Sequence, residues 1–165
     1  GPDAMDSLLG ILQNPDCTPF QVGLINLALS FIGSKAPQAL LRAAESDVAE
    51  VRVAAISALG DQIQTLGDTD AQKKVFEALE DTSPDVRAEA VTLIGKSCDA
   101  EDVQELLIKR LADSDSQVRK NSAMALMKLE AKGTINALST AAQSESDKDV
   151  QAVINVAIKI LSIKE

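Results

Sequence analysis

The sequence of 165 residues has no histidine, no tryptophan and no tyrosine, and its only aromatic residues are three phenylalanines. Histidine is the commonest general acid–base and metal ligand. Tryptophan and tyrosine supply most of the rings on which bases and flat cofactors stack. These absences argue against a conventional active site. We therefore predict that the chain has no catalytic residue, no metal ligand and no cofactor, and that it is not an enzyme.

Positive charge is also scarce, since 16 lysines and arginines face 25 aspartates and glutamates, for a net charge of −9. Nucleic-acid binding depends on neutralisation of phosphates by lysine and arginine, so an acidic surface disfavours it. The sequence has no apolar run long enough to span a bilayer and no signal-peptide pattern. We expect no nucleic-acid or membrane partner and a cytoplasmic location. Cys17 and Cys98 are too far apart in sequence to suggest a metal site, and we expect buried thiols.

A thirteen-residue pattern occurs five times along the chain. Each copy contains an apolar anchor, and apolar or small residues follow it at four, seven and eight positions, which is the spacing of one helix face. The copies occupy Gln21–Gly33, Val48–Gly60, Ser83–Gly95, Asp115–Met127 and Asp147–Lys159. Their anchors are Leu24, Val51, Val86, Val118 and Val150, so the spacings are 27, 35, 32 and 32 residues. Periods of this length indicate a solenoid of stacked helical hairpins.

A second helix is predicted between successive copies, over residues 36–45, 70–80, 101–112 and 134–143. Glycines are predicted to end or follow helices at Gly33, Gly60, Gly95 and Gly133. The predicted fold is all-α, a right-handed α-α superhelix of about five helical hairpins. Residues 1–4 resemble the remnant of a removed purification tag. The rest, 5–165, is predicted to be one domain with repeats near 6–33, 34–60, 68–95, 99–129 and 133–163.

The order Asp/Ser, Val-Arg, Ala, Ala-Leu-Gly in these copies resembles HEAT repeats, particularly the short HEAT-like repeats of bilin lyases. The resemblance implies a ladder in which arginines after the anchor valines bind acidic residues of the turns. The donors would be Arg52, Arg87 and Arg119, and the acceptors Asp47, Asp81 or Asp85, and Asp113 or Asp115. It also implies a concave face formed by the repeated helices. Its predicted partner-binding residues are Val53, Ser57, Glu89, Thr92, Lys120, Asn121, Met124, Val153 and Val156.

The last predicted helix, 150–164, is apolar around far more than the usual third of its circumference. An end repeat normally has a polar outer face, because exposed apolar patches are rare on soluble monomers. We therefore expect the C-terminal face to contact another copy, a partner or further repeats. The helix over 20–32 is also apolar on most sides, and Leu8, Leu9, Ile11 and Leu12 are available to cover it.

Three functional hypotheses follow. The leading one is a non-catalytic protein–protein interaction or scaffold module that binds a partner protein through its concave face, its apolar C-terminal helix, or both. The alternative, from the resemblance, is a bilin lyase-like or antenna-protein-associated HEAT protein that handles a tetrapyrrole. The third, a HEAT-like DNA-binding or glycosylase fold, is disfavoured by the negative charge.

Overall fold

The computed structural model describes residues 2–33 and 35–163. Within these residues the chain forms ten α-helices and no strand, which confirms the all-α prediction. The helices are α1 Pro2–Leu12, α2 Pro19–Gly33, α3 Pro37–Ala43, α4 Ala49–Leu66, α5 Thr69–Glu77, α6 Pro84–Ser97, α7 Ala100–Arg110, α8 Ser116–Lys128, α9 Ile135–Ser144 and α10 Lys148–Leu161. Short 3₁₀ turns follow α5 and precede α9. The predicted boundaries at Gly1, Ser34, Lys164 and Glu165 lie outside the described residues.

The chain divides into two compact units, residues 1–90 and residues 91–165, and the division falls inside α6. In the N-terminal unit α4 is the central helix, because α2, α3 and α5 all pack against it. Its anchor Val51 and the following Ala55, Ala58 and Leu59 are buried, as their helical spacing predicts. The small alanines allow neighbouring helices to approach closely.

The C-terminal unit is built in the same way around α8, which packs against α7 and α10. One buried stripe of α10 consists of Val150, Ile154, Ala157 and Leu161. The buried hydroxyl of Ser122 donates to the Val118 carbonyl oxygen at 2.8 Å, so this polar residue is satisfied within its own helix.

Side chains cap several helix starts. Thr18 and Gln21 form a capping box at α2, in which the Thr18 N–H donates to Gln21 Oε1 and the Gln21 N–H donates to Thr18 Oγ1. Asp68, Asp115 and Asp147 each accept two backbone N–H groups at the start of α5, α8 and α10. These bonds satisfy donors that the helix itself leaves unpaired.

Three helix ends differ from the predicted ones. Gly95 lies inside α6, which ends at Ser97. Gly60 is buried inside α4, which continues to Leu66 and ends at Gly67 with φ of 62°. The end of α8 is formed by Glu130, at φ of 52°, rather than by Gly133. There the Ala131 N–H donates to the Leu126 carbonyl oxygen at 3.1 Å, which closes the helix despite the unfavourable φ of a non-glycine residue.

Gly95 marks a close approach of α6 to α8 in the C-terminal unit. A Cβ at this position would lie 2.6 Å from Ala125 Cβ and 3.1 Å from Ala125 Cα. We predict that Gly95→Ala lowers the free energy of unfolding by about 1–3 kcal/mol, because one helix must move away from the other. Urea denaturation monitored by circular dichroism measures the change.

The matched control is Gly23→Ala in α2, where no atom lies within 4 Å of the new methyl group. This change should stabilise the helix by roughly 0.5–1 kcal/mol, since alanine replaces a helical glycine without a clash. Equal effects of the two substitutions would contradict the close packing of α6 on α8.

Candidate functional site

Arginines after the anchor valines tie each repeated helix to the turn before it. The Nη1 groups of Arg52, Arg87 and Arg119 each donate to the carbonyl oxygen six residues earlier, at 2.8, 2.9 and 2.9 Å. Arg87 and Arg119 also donate to the next carbonyl oxygen along the chain, at 3.3 Å. The guanidinium groups therefore satisfy carbonyl groups that the turns leave open.

Two of these arginines also bind the carboxylate of the following turn with both donors of the guanidinium fork. Arg52 binds Asp81 through Nε and Nη2 at 2.9 and 2.8 Å, and Arg119 binds Glu145 through the same atoms at 2.7 and 2.9 Å. Each carboxylate also accepts a backbone N–H two residues later, from Ser83 and Asp147. Each contact therefore joins two helical hairpins within one unit.

Of the acceptors that the resemblance implied, Asp81 binds an arginine through its carboxylate, and its partner is Arg52. Among the described residues neither Asp47 nor Asp85 makes a hydrogen bond to an arginine, and the Asp115 carboxylate caps α8. Glu145 was missed, although it stands six residues before Gln151, as Asp81 does before Arg87. Alignment of the copies on this position would have found it.

The ion pairs shift the pKa values of their members. The hydrogen bond from Arg119 lowers the pKa of Glu145 below its ordinary 4.5, against an opposing effect of burial. Burial raises the pKa of Asp81, but hydrogen bonds from Arg52 and from the Ser83 N–H outweigh it, and the net shift is downward. The pKa values of Arg52 and Arg119 are raised, first by these hydrogen bonds and then by nearby charges that include Asp47 and Asp115.

A cavity of about 750 Å³ lies in the N-terminal unit, beside the α1–α2 turn, α2 and the start of α4. Its lining is largely apolar and includes Leu12, Val22 and Val53. Asn26 belongs to this lining, and its buried Oδ1 atom accepts no hydrogen bond from the described residues. The charged residues among the described lining are two carboxylates, Glu50 and Asp85. Cys17 also lines the cavity.

A smaller groove of about 320 Å³ lies between α6 and α8 in the C-terminal unit. Met124, Ala125 and Met127 are among its apolar lining residues, and its charged lining residues are Lys96 and Lys128. The Asn121 Nδ2 group donates to Thr92 Oγ1 at 3.1 Å and fixes both side chains in the lining.

Apolar side chains are also exposed on two helices. Phe20, Leu24, Leu27 and Phe31 follow one another at four, three and four positions, so they form a single stripe on α2, and each is between 52% and 74% exposed. Leu12 of α1 is buried and Leu9 packs on the core, but α1 leaves this stripe uncovered. On α10 the exposed apolar residues are Val156, Ile160 and, just beyond its end, Ile163.

The predicted partner-binding residues fall into separate places. Thr92, Asn121 and Met124 line the α6–α8 groove, whereas Val53 lines the cavity of the other unit. Ser57, Glu89, Lys120 and Val153 are half-buried, and Val156 is exposed. Sequence reasoning missed the α1–α2 turn, because a turn has no periodic pattern. It also missed Asn26, because the position of Asn26 along α2 does not distinguish it from a core residue. Both cysteines are half-buried, and neither is in a disulfide.

Within residues 2–33 and 35–163 there is no group of three or more side chains suited to hold a metal ion. In the same residues no helix is long and apolar enough to cross a membrane.

The fold and the arginine contacts define a class of protein, and comparison with known proteins agrees with it. The family model for HEAT repeats matches residues 72–159, more than half of the chain, so the chain belongs to the HEAT-repeat family. Its repeated helical hairpins are those of an all-α HEAT- or armadillo-like solenoid, as predicted.

Individual similar proteins have more specific descriptions than the HEAT-repeat family as a whole. The chain is 46% identical, over 93% of its length, to the bilin biosynthesis protein MpeU of Synechococcus sp. (strain WH8020), and spans about half (52%) of that protein. It is similar in fold to a chain from the complex of CpcE and CpcF of phycocyanin lyase from Nostoc sp. PCC7120, with a TM-score of 0.73, 20% identity, and coverage of 95% of this chain and 99% of that one. A designed armadillo repeat protein in complex with the peptide (KR)4 gives a TM-score of 0.61 at 23% identity, covering 97% of this chain and 82% of that one.

These comparisons overturn the leading hypothesis of a non-catalytic scaffold module and the expectation that the chain is not an enzyme. The relative with high identity is a bilin biosynthesis protein, and a structural neighbour belongs to a lyase. They favour the alternative, a bilin lyase-like HEAT protein. The absence of histidine, tryptophan and tyrosine excludes only chemistry that depends on those side chains, so it was not sufficient to exclude an enzyme.

The Arg119–Glu145 pair predicts a pH-dependent part of the stability. The pKa of Glu145 is lower in the folded than in the unfolded chain, so its contribution is complete above about pH 4.5 and is lost as the pH falls through the folded-state pKa. We predict that Glu145→Gln lowers the free energy of unfolding at pH 7 by about 1–3 kcal/mol. The variant should also lose less stability than the unmodified chain as the pH falls into the acid range, because the substituted amide side chain cannot titrate.

Urea unfolding at a series of pH values measures both effects. Glu105→Gln, at an exposed position of α7, is the matched control and should leave the pH dependence unchanged. Parallel pH profiles for Glu145→Gln and the unmodified chain would contradict the assigned role of the pair.

Proposed function

We propose that this chain is a HEAT-repeat part of a bilin lyase-type protein, which holds a bilin during its attachment to, or removal from, an antenna protein. The observation that carries the proposal is the 46% identity to a bilin biosynthesis protein over 93% of this chain. Because the chain spans about half of that relative, we assign it part of the machinery rather than the complete reaction.

The geometry supports a carrier of a largely apolar ligand that has a few polar groups. Small-molecule sites are usually concave, mostly apolar and about 300–1,000 Å³ in volume, with a few polar groups that fix the orientation. The cavity of about 750 Å³ and the groove of about 320 Å³ both have this character. We assign the chain binding and orientation of the bilin. Because the chain has no histidine, any proton transfer would depend on a carboxyl, amine or thiol group or on solvent.

We further propose that a second HEAT-repeat segment covers the exposed stripe of α2. The relative is about twice as long as its matched region, and the Nostoc lyase chains form a complex of CpcE with CpcF. Four large apolar side chains in one stripe provide the anchors that helix-to-helix docking requires. We also propose that the C-terminal face, where α10 has exposed apolar residues, contacts another copy or flanking repeats.

Bilin binding is the direct test of the proposed function. We predict that the full chain, mixed with biliverdin, shifts and sharpens its visible absorption band, because a protein site restricts the conformations of the flexible tetrapyrrole. An absorption titration gives the dissociation constant. A designed armadillo repeat protein of the same fold is the control; an identical spectral change with both proteins would contradict specific binding, and no change with this chain would contradict the proposal.

Docking on α2 has its own test. We predict that Leu27→Glu lowers the affinity for the unmatched half of the Synechococcus relative, supplied as a separate chain, by at least about tenfold, because a carboxylate replaces an anchor that the partner would bury. Isothermal titration calorimetry measures the affinity. Leu66→Glu, at an exposed apolar position of α4 outside the stripe, is the matched control. Equal affinity of the Leu27 variant and the unmodified chain would place the partner elsewhere.

A further inference from the structure

We infer that the cavity of the N-terminal unit is the bilin site, and that it holds the tetrapyrrole by its N–H groups while the propionates remain in solvent. This assignment rests on the proposed function and adds to it a location and an orientation. It depends on three features of the cavity: its size, its hydrogen-bonding character and its charge.

Size favours this cavity over the groove. Biliverdin, a linear tetrapyrrole, has four rings joined in one conjugated system, and it needs a long apolar surface. The cavity has about 750 Å³, whereas the α6–α8 groove has about 320 Å³, near the lower limit for small-molecule sites. Leu12, Val22 and Val53 provide apolar contacts for the ring faces.

Hydrogen bonding favours a ligand that donates. Glu50 and Asp85 are exposed residues of the lining, and their carboxylates accept hydrogen bonds when ionised. The ring nitrogens of a tetrapyrrole carry N–H groups along one edge of the molecule, and this edge matches a lining with two such acceptors.

Charge then sets the orientation. A bilin also carries two propionates, and like charges in one site repel each other. The cavity has carboxylates and, among its described lining, no lysine or arginine. The propionates therefore point out of the cavity. In the α6–α8 groove the propionates would instead point inward, because Lys96 and Lys128 would attract their negative charge.

The two cysteines of the chain provide an internal probe of the location. Cys17 lines the cavity, and Cys98 belongs to neither the cavity nor the groove. Bound biliverdin should slow alkylation of Cys17 by iodoacetamide at least about fivefold, whereas alkylation of Cys98 should be unchanged. Peptide mass spectrometry of the full chain, with and without biliverdin, gives both rates and would detect a covalent adduct on either thiol.

Substitution of the acceptors tests the hydrogen bonds. The double variant Glu50→Gln/Asp85→Asn changes two exposed side chains, and we expect it to fold and to bind biliverdin about tenfold or more weakly. The matched control is Glu101→Gln/Asp102→Asn, at two exposed positions of α7 outside the cavity. Lys96→Glu/Lys128→Glu should leave the dissociation constant unchanged.

Biliverdin dimethyl ester tests the orientation, because it lacks the propionate charges. It should bind as tightly as biliverdin, and raising the salt concentration should not weaken either.

The outcomes separate this inference from the proposed function. If the unmodified chain does not bind biliverdin, both fail. A second outcome is that the chain binds biliverdin, Cys17 remains unprotected, the acceptor variant binds normally, and the ester or the lysine variant binds weakly. The site is then the groove. That result overturns the cavity assignment, while the proposed function stands.

Discussion

The contact on which the repeats depend is the guanidinium group that follows each anchor valine in the three central copies. It joins the start of a helix to a carbonyl group six residues earlier, and in two cases it also holds a carboxylate of the next turn in a bidentate pair. In those two cases one side chain links its helix both to the turn before it and to the turn that follows. Stacked alanines alone would not specify either link, because small apolar residues pack in many registers.

Much of this fold is predictable from sequence, because a repeated helical face and capping residues carry local signals. The spacing around Val51 predicts which face of α4 is buried, and Thr18 with Gln21 predicts the start of α2. Helix ends were less predictable: Gly60 has the same place in its copy as Gly95, but the buried Gln62 and Ile63 continue α4 for another turn. At Glu130 the chain takes a left-handed conformation that the residue type does not favour, and the next residue, Ala131, donates its N–H to the Leu126 carbonyl oxygen.

The sites were less predictable than the fold, and the reason is physical. Thr92, Asn121 and Met124 were found because they share one face of regular helices. The cavity draws its residues from a turn, two helices and Asp85, and no periodicity connects those positions. Asn26 shows the difficulty: only the structure reveals that its carbonyl oxygen is buried without a donor.

Similarity of fold and identity of sequence carry different information, because the contacts between repeats need few residues. A chain of the Nostoc lyase complex and a designed peptide binder keep this fold at 20% and 23% identity, so a small set of positions is sufficient for it. An identity of 46% over 93% of the chain extends well beyond that set. The proposed bilin-handling role therefore rests on that identity and not on membership of the HEAT-repeat family, since the family defines the scaffold and the remaining surface defines the ligand.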